Sequence, residues 1–505
     1  MLTPQQQSPA PAPAQTAGPA VRHGMVLAVT CLALAAVVSA MASLNIALTD
    51  IAHDTGANQT QLSWIIDAYS LVFAALLLPA GALGDRFGRR RALLAGLVIF
   101  GAASGLAALT TDAVGLVALR AVLGVGAALV MPATLSTITG TFPREQRARA
   151  VGIWSAVAGA SAVLGLLVSG TLLELFSWQS VFLLNVVLAL AALAGTQRFV
   201  PESAEAAPPP LDVVGAVLVA VGLAVVVYSI IEAPEHGWSD PVTLGGIGAG
   251  LVVLAGFVAW ELTRRHPLLD PRLFRNLRFT AGSVSITLQF FTFFGFIFVI
   301  MQYLQLVRGD SALVAALSIL PMPATMMPAS RLSPGLTARF GARGPWVLGL
   351  LSVALGMVVL AQLEGDSPYW LMAAGLLPLG AGLGLAMTPA TTAITDSLPK
   401  ALQNVGSAMN DLSRELGGAL GIAVLGSVLG STYRDRISLP GAPAHVAEAA
   451  RSSLAAATSM GGTVMEHART AFVEGMQTAL LAAAAVAVAG AFVVAGLLRR
   501  RSGRR

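Results

Sequence analysis

The stretch WIIDAYSLVFAALLLPAGALGDRFGRRRALLAGLVIFGAASGLAALT, residues 64–110, decides the fold class. It reads as an apolar run, a short turn crowded with arginine, and a second apolar run. Each run is about 20 residues long, the length a helix needs to cross the hydrocarbon layer of a bilayer. The runs are continuous and do not alternate as barrel strands would, so they read as helices.

Working outward, the same pattern recurs to the C-terminus. Of 505 residues, 56% are apolar and only 11% are charged, against about a quarter in soluble domains. Mean hydropathy is +0.77. So few charges cannot cover a water-soluble surface of this size. Fourteen spans are expected, near 25–48, 61–82, 92–111, 113–136, 149–172, 178–197, 212–232, 241–262, 279–304, 311–331, 345–363, 369–392, 402–430 and 471–498. The first is too long for the apolar region of a cleavable signal and is expected to stay as an anchor. Residues 1–24, rich in Pro, Gln and Ala, read as a disordered tail.

The loops alternate in charge. RFGRRR (86–91), PREQRAR (143–149), TRRHPLLDPRLFRNLR (263–278), ARFGAR (338–343) and RRRSGRR (499–505) form one set. AHDTGANQ (52–59), EAPEHGWSD (232–240) and EGDSP (364–368) form the other. Arginine-rich loops stay cytoplasmic, so both termini are expected inside a multi-pass protein of the cell (cytoplasmic or inner) membrane. The net charge of +5 sits in these loops, where it bears on topology and not on nucleic acid. The long loop at 431–470 is expected outside, as a solvated lid with a short surface helix at HVAEAARSSLAAA.

GDRFGRR (84–90) and TARFGAR (337–343) are an internal repeat, with Ala338 in the acidic position of the second copy. Two related halves around a midplane substrate site are a common transporter plan. The expected organisation is a six-helix bundle over 25–200, two inserted helices over 201–265, and a second six-helix bundle over 266–498, followed by a basic tail.

GALGDRFGRRR (81–91) resembles the cytoplasmic signature of the major facilitator superfamily. WIIDAYSLVFAALLLPAGALGDRFGRR (64–90), RAVLGVGAALVMPATLS (120–136), FSWQSVFLLNV (176–186), IEAPEHGW (231–238), HPLLDPRLFRN (266–276) and NDLSRELGGALGIAVLGSV (410–428) resemble its fourteen-span drug:proton antiporters of the EmrB/QacA type. Asp67 and the NDLSRE stretch look closest to the branch that exports cationic compounds. The resemblance implies an all-helical major facilitator fold and proton-coupled efflux. The chain departs from the family pattern at Ala40, where an acid is frequent, at Leu123, where a glutamine is usual, and at Leu166 and Ser169, in the span-5 antiporter signature.

Ionisable groups inside spans are costly and point to function. The candidates among them are Asp67, Arg120, Asp411, Arg414 and Glu415. Asp411 and Glu415 share a helix face, and Arg414 can reach Asp411. Glu415 is left without a local partner. A carboxylate in low dielectric exchanges its proton nearer neutral pH than one in water. The candidate coupling or substrate carboxylates are therefore Glu415, Asp411 and Asp67. Arg120 matches the superfamily's buried arginine, and Arg120 and Arg414 can also serve as packing partners. In the basic turn, Gly81 and Gly88 permit close approach and a tight bend, and Asp85 can pair with Arg89 or a helix N-terminus; the resemblance implies that Asp85 and Arg89 act as a latch in a cytoplasmic gate motif that includes Arg86. The phenylalanines of 290–298 and Met322, Met326 and Met327 suit apolar or cationic guests, or an ordinary bundle core.

No phosphate-binding loop, metal-ligand spacing or catalytic constellation is present, so neither an enzyme nor a cofactor is expected. The expected partners are protons, lipid and a small-molecule substrate, a lipophilic cation first. Export of one dedicated metabolite or antibiotic is the alternative, and a non-transporting membrane sensor or scaffold is a third.

Overall fold

The computed structural model describes residues 22–203, 211–398, 403–439 and 443–499. The expected disordered and basic tails fall almost wholly outside these. Among the described residues every regular element is a helix.

The first eight helices are α1 (His23–Thr55), α2 (Gln59–Phe87), α3 (Arg89–Ala107), α4 (Ala113–Thr141), α5 (Arg144–Leu175), α6 (Gln179–Phe199), α7 (Val213–His236) and α8 (Pro241–Thr263). Next come α9 (Leu277–Gln302), α10 (Ala312–Ser318), α11 (Pro321–Phe340), α12 (Arg343–Leu360), α13 (Tyr369–Asp396) and α14 (Gln403–Arg436). The chain closes with α15 (Ala444–Ser452), α16 (Leu454–Met460) and α17 (Gly462–Arg499). Among the described residues, 13 helices are long and apolar enough to cross a membrane, with α10 and α11 forming one of them. The charged N-terminal part of α5 leaves it a shorter apolar stretch, Ala160–Leu175.

Polar side chains at the ends of the apolar runs start these helices. Asn58 and Gln61 form a reciprocal capping box at α2. Asp112, Asp212 and Asp240 accept from the first free amides of α4, α7 and α8. Each such cap satisfies backbone donors that a helix start leaves open.

The packing repeats. Within α1–α6, α2 and α3 pack on α4, α5 and α6 on α1, and α6 on α3. The second set reproduces every pair: α11 and α12 on α13, α14 and α17 on α9, and α17 on α12. The halves meet along α2 with α14 and along α5 with α10. Glycine makes the tightest seams. A Cβ at Gly417 or Gly421 of α14 would collide with the backbone carbonyls of Thr287 and Phe291 in α9. Small residues let helix backbones close on each other where lipid offers no hydrophobic drive.

α7 lies in the groove between α2 and α14, and α8 packs chiefly on α7. The loop expected as a solvated lid is two helices with buried apolar residues. Ala450, Leu454, Ala455 and Ala457 are buried, and α16 packs on α17 and α1. The run HVAEAARSSLAAA is broken at Ser453, which caps α16.

Candidate functional site

The intramembrane charges gather around α2, α4 and α14. Asp67 on α2 is 0% exposed, and neither of its carboxylate oxygens has a hydrogen-bond partner. Arg120 on α4 is 1% exposed. Its Nε donates to the Ile65 carbonyl at 2.8 Å, and its guanidinium lies 4.4 Å from the Tyr69 ring centroid. Its Nη2 is buried without a partner. Tyr69 donates its hydroxyl to the Val37 carbonyl of α1 at 3.0 Å.

On α14, Arg414 Nη1 stands 3.8 Å from Asp411 Oδ1. Arg414 also covers the Phe290 ring of α9, 4.7 Å from its centroid. Asp411 and Glu415 are both buried, and Glu415 Oε2 has no hydrogen-bond partner. α14 packs on α2 of the other half, and a Cβ at Gly418, one turn from Glu415, would meet Met41 of α1 at 3.4 Å. Unpartnered buried oxygens cost free energy, and the fold keeps such oxygens at Asp67 and Glu415.

The phenylalanine cluster takes a definite role. Phe290, Phe293 and Phe294 meet edge-on or tilted at centroid distances of 5.0–6.3 Å. The cation over this cluster is Arg414 of the chain itself. Of the three methionines on α11, Met322 is buried and Met327 is 60% exposed, so they do not line one wall.

The basic turn is compact. Arg89 Nη2 pairs with Asp85 Oδ1 at 2.9 Å, one helical turn apart. Gly88 sits between them at φ 114°, a conformation that favours glycine. A Cβ at Gly81 would touch Pro132 of α4 at 3.5 Å. Arg86 is exposed. This ion pair joins α2 to α3 within one half.

Several polar groups escaped sequence reasoning. Tyr69 was hidden because a tyrosine in an apolar run carries no signal by itself. Glu261 of α8 is buried beside Gly215, although it lies inside an expected span and was readable there. Asn45, Gln289 and Gln302 are buried amides with unpartnered carbonyl oxygens, and an amide in an apolar run was the available sign. The IEAPEHGW stretch proves to be a bridge. Glu232 accepts from Trp64 Nε1 at 3.0 Å. Glu235 accepts from Asn58 at 3.3 Å and pairs with Arg434 at 3.5 Å. The Ile230 carbonyl accepts from Ser427 at 2.5 Å.

At this acidic-loop end the halves also join directly. Gln305 donates to the Ile46 carbonyl at 3.0 Å, and the Leu313 amide to Glu174 at 3.4 Å. The arrangement is a two-half helical protein whose halves are hydrogen-bonded to one another at the acidic-loop end, with buried acids on α2 and α14. The sequence profile of the Major Facilitator Superfamily matches residues 29–422. The chain belongs to the major facilitator superfamily.

Relatives within this transporter superfamily align over most of their lengths. The chain is 35% identical over 491 residues to the multidrug efflux pump LfrA of Mycolicibacterium smegmatis, covering 95% of this chain and 97% of that protein. It is 34% identical over 460 residues to the tetracenomycin C resistance and export protein of Streptomyces glaucescens, covering 88% and 86%. It is 34% identical over 451 residues to the methyl viologen resistance protein SmvA of Salmonella typhimurium, covering 87% and 91%. A bacterial homolog of the human lysosomal transporter Spinster, solved facing inward and unoccupied, superposes with a TM-score of 0.66 at 19% identity, covering 97% of this chain and 99% of that one. That likeness shows a shared fold over 97% of this chain.

Proposed function

We propose that this protein exports lipophilic cationic drugs in exchange for protons, by alternating access across the cytoplasmic membrane. It does so as a fourteen-span transporter of the EmrB/QacA type with both termini inside. One observation carries the reading: Asp67 is fully buried, with both carboxylate oxygens unpartnered, on α2, the helix that packs on α14 of the other half. A cation entering low dielectric needs a fixed negative partner, and a proton competing for the same acid provides exchange. Glu415 and Asp411 take the coupling role, with Asp411 restrained by Arg414. Arg120 and Tyr69 hold the α1–α2–α4 side of the site in shape. The relatives named for multidrug efflux and for resistance to methyl viologen, a dication, support the substrate class.

The rocking states follow from the seams. With the acidic-loop end bridged by Gln305, Glu174 and the α7 turn, a guest enters from the arginine-rich, cytoplasmic end. Protonation of the seam acids then releases the cation as the halves rock.

A dedicated antibiotic exporter is the second reading. The relative named for tetracenomycin C export and the buried Ala40, where the family often has an acid, favour it.

The test is uptake of a fluorescent cation and of a neutral analogue of similar size into inverted vesicles under an imposed pH gradient. The cation should move with the gradient, and Glu415→Gln should abolish that movement. Movement of the neutral compound alone would refute the cationic preference. A cysteine at Arg272 labelled from outside intact cells would refute the fourteen-span topology.

A further inference from the structure

The two copies of the Arg-Phe-Gly turn are built alike and finished differently. In the first copy, the segment after α6 covers the turn. The Arg90 amide donates to Glu202 Oε1 at 3.2 Å, Arg91 Nε stands 3.6 Å from Glu202 Oε2, and the Arg89 amide donates to the Ser203 carbonyl at 2.8 Å. The start of α3 is thus an anion site that the chain fills with its own carboxylate, as helix N-termini favour.

The second copy keeps the geometry. Gly341 has φ 76°, like Gly88 at φ 114°, and α12 begins at Arg343 as α3 begins at Arg89. Ala338 stands where Asp85 does, and Ala342 where Arg89 does, so the ion pair is gone. In its place is a cavity of about 880 Å³. Arg278, Arg343, Thr337, Ala338, Ala342 and Asp396 are on its wall. Thr337 Oγ1 is buried with no hydrogen-bond partner, and no side chain caps α12.

We propose that this cavity binds a phosphate ester bearing an amine. The phosphate takes the place that Glu202 holds in the first half, on the α12 N-terminus between Arg278 and Arg343. The amine pairs with Asp396. The cavity opens at the arginine-rich end of the helices, the level of cytoplasmic-leaflet head groups, where basic pockets between helices hold lipid phosphates. A phosphoethanolamine head group and a soluble phosphorylated amine share this chemistry.

The experiment is native mass spectrometry of the purified full chain with phosphatidylethanolamine, phosphatidylcholine and inorganic phosphate as probes. It compares the wild type with Arg278→Ala/Arg343→Ala and with Ala338→Asp/Ala342→Arg. The latter installs the ion pair that the first half already tolerates, so it fills the cavity without a foreign geometry. Phosphatidylethanolamine should be retained by the wild type, held about thirtyfold more weakly by Arg278→Ala/Arg343→Ala, the effect of two surface arginines, and lost from Ala338→Asp/Ala342→Arg, whose new side chains occupy the cavity. Displacement by millimolar phosphate assigns a soluble ligand, and resistance to it assigns the lipid; each supports the site. Equal retention in wild type and both well-folded variants overturns it. Equal retention of phosphatidylcholine overturns the pairing with Asp396.

Discussion

Replacing Asp67 with valine keeps a branched side chain of similar shape and removes both buried oxygens. Each buried polar atom without a partner costs about 1–3 kcal/mol. Asp67 has two such oxygens and is 0% exposed. Taking the low end for each, the substitution should stabilise the fold by about 2 kcal/mol, a factor of about 30 in the folded-to-unfolded ratio. Transport of a cation should meanwhile fall by at least about tenfold, because the site loses its fixed negative charge. The two effects have opposite signs, which is what separates a functional acid from a structural one. Thermal unfolding in detergent at fixed lipid and pH reads the first, and gradient-driven uptake of a fluorescent cation reads the second. A variant that unfolds more easily than wild type while transporting the cation normally would show that Asp67 is a packing residue, and the reasoning would fail.

Asp85→Asn should remove an ion pair that is partly exposed and therefore contributes about 1 kcal/mol, slowing transport by no more than about fivefold without loss of expression; a wild-type rate would exclude a gating role. Asp411→Asn should cost less cation exchange than Glu415→Gln, since Arg414 already holds Asp411, and vesicle uptake of the two variants side by side decides it. Glu235→Ala, which frees Asn58 and Arg434, should raise the cysteine accessibility of the α2–α14 seam at its acidic-loop end by a few-fold, because two weak polar contacts contribute under about 1 kcal/mol together. Gly421→Leu should destabilise by about 3 kcal/mol or more, because its side chain meets the Phe291 carbonyl, and detergent-solubilised protein should aggregate at a lower temperature.

What the sequence by itself determined is the part that each segment decides alone. An apolar run of spanning length must become a helix in lipid, because no water is present to satisfy its backbone. The repeated Arg-Phe-Gly turn announced two related halves. Asp67, Arg120, Asp411, Arg414 and Glu415 were legible as intramembrane charges for the same local reason. The tertiary structure alone decided what each charge meets. Tyr69 joins Arg120 to α1, the Phe290 cluster takes Arg414, α7 clasps α2 to α14, and the second basic turn encloses a cavity where the first holds Glu202. These partnerships connect residues far apart in the chain. They depend on how close two helix backbones come, which glycines such as Gly417 and Gly421 set by packing against a neighbour that no local reading of the sequence contains.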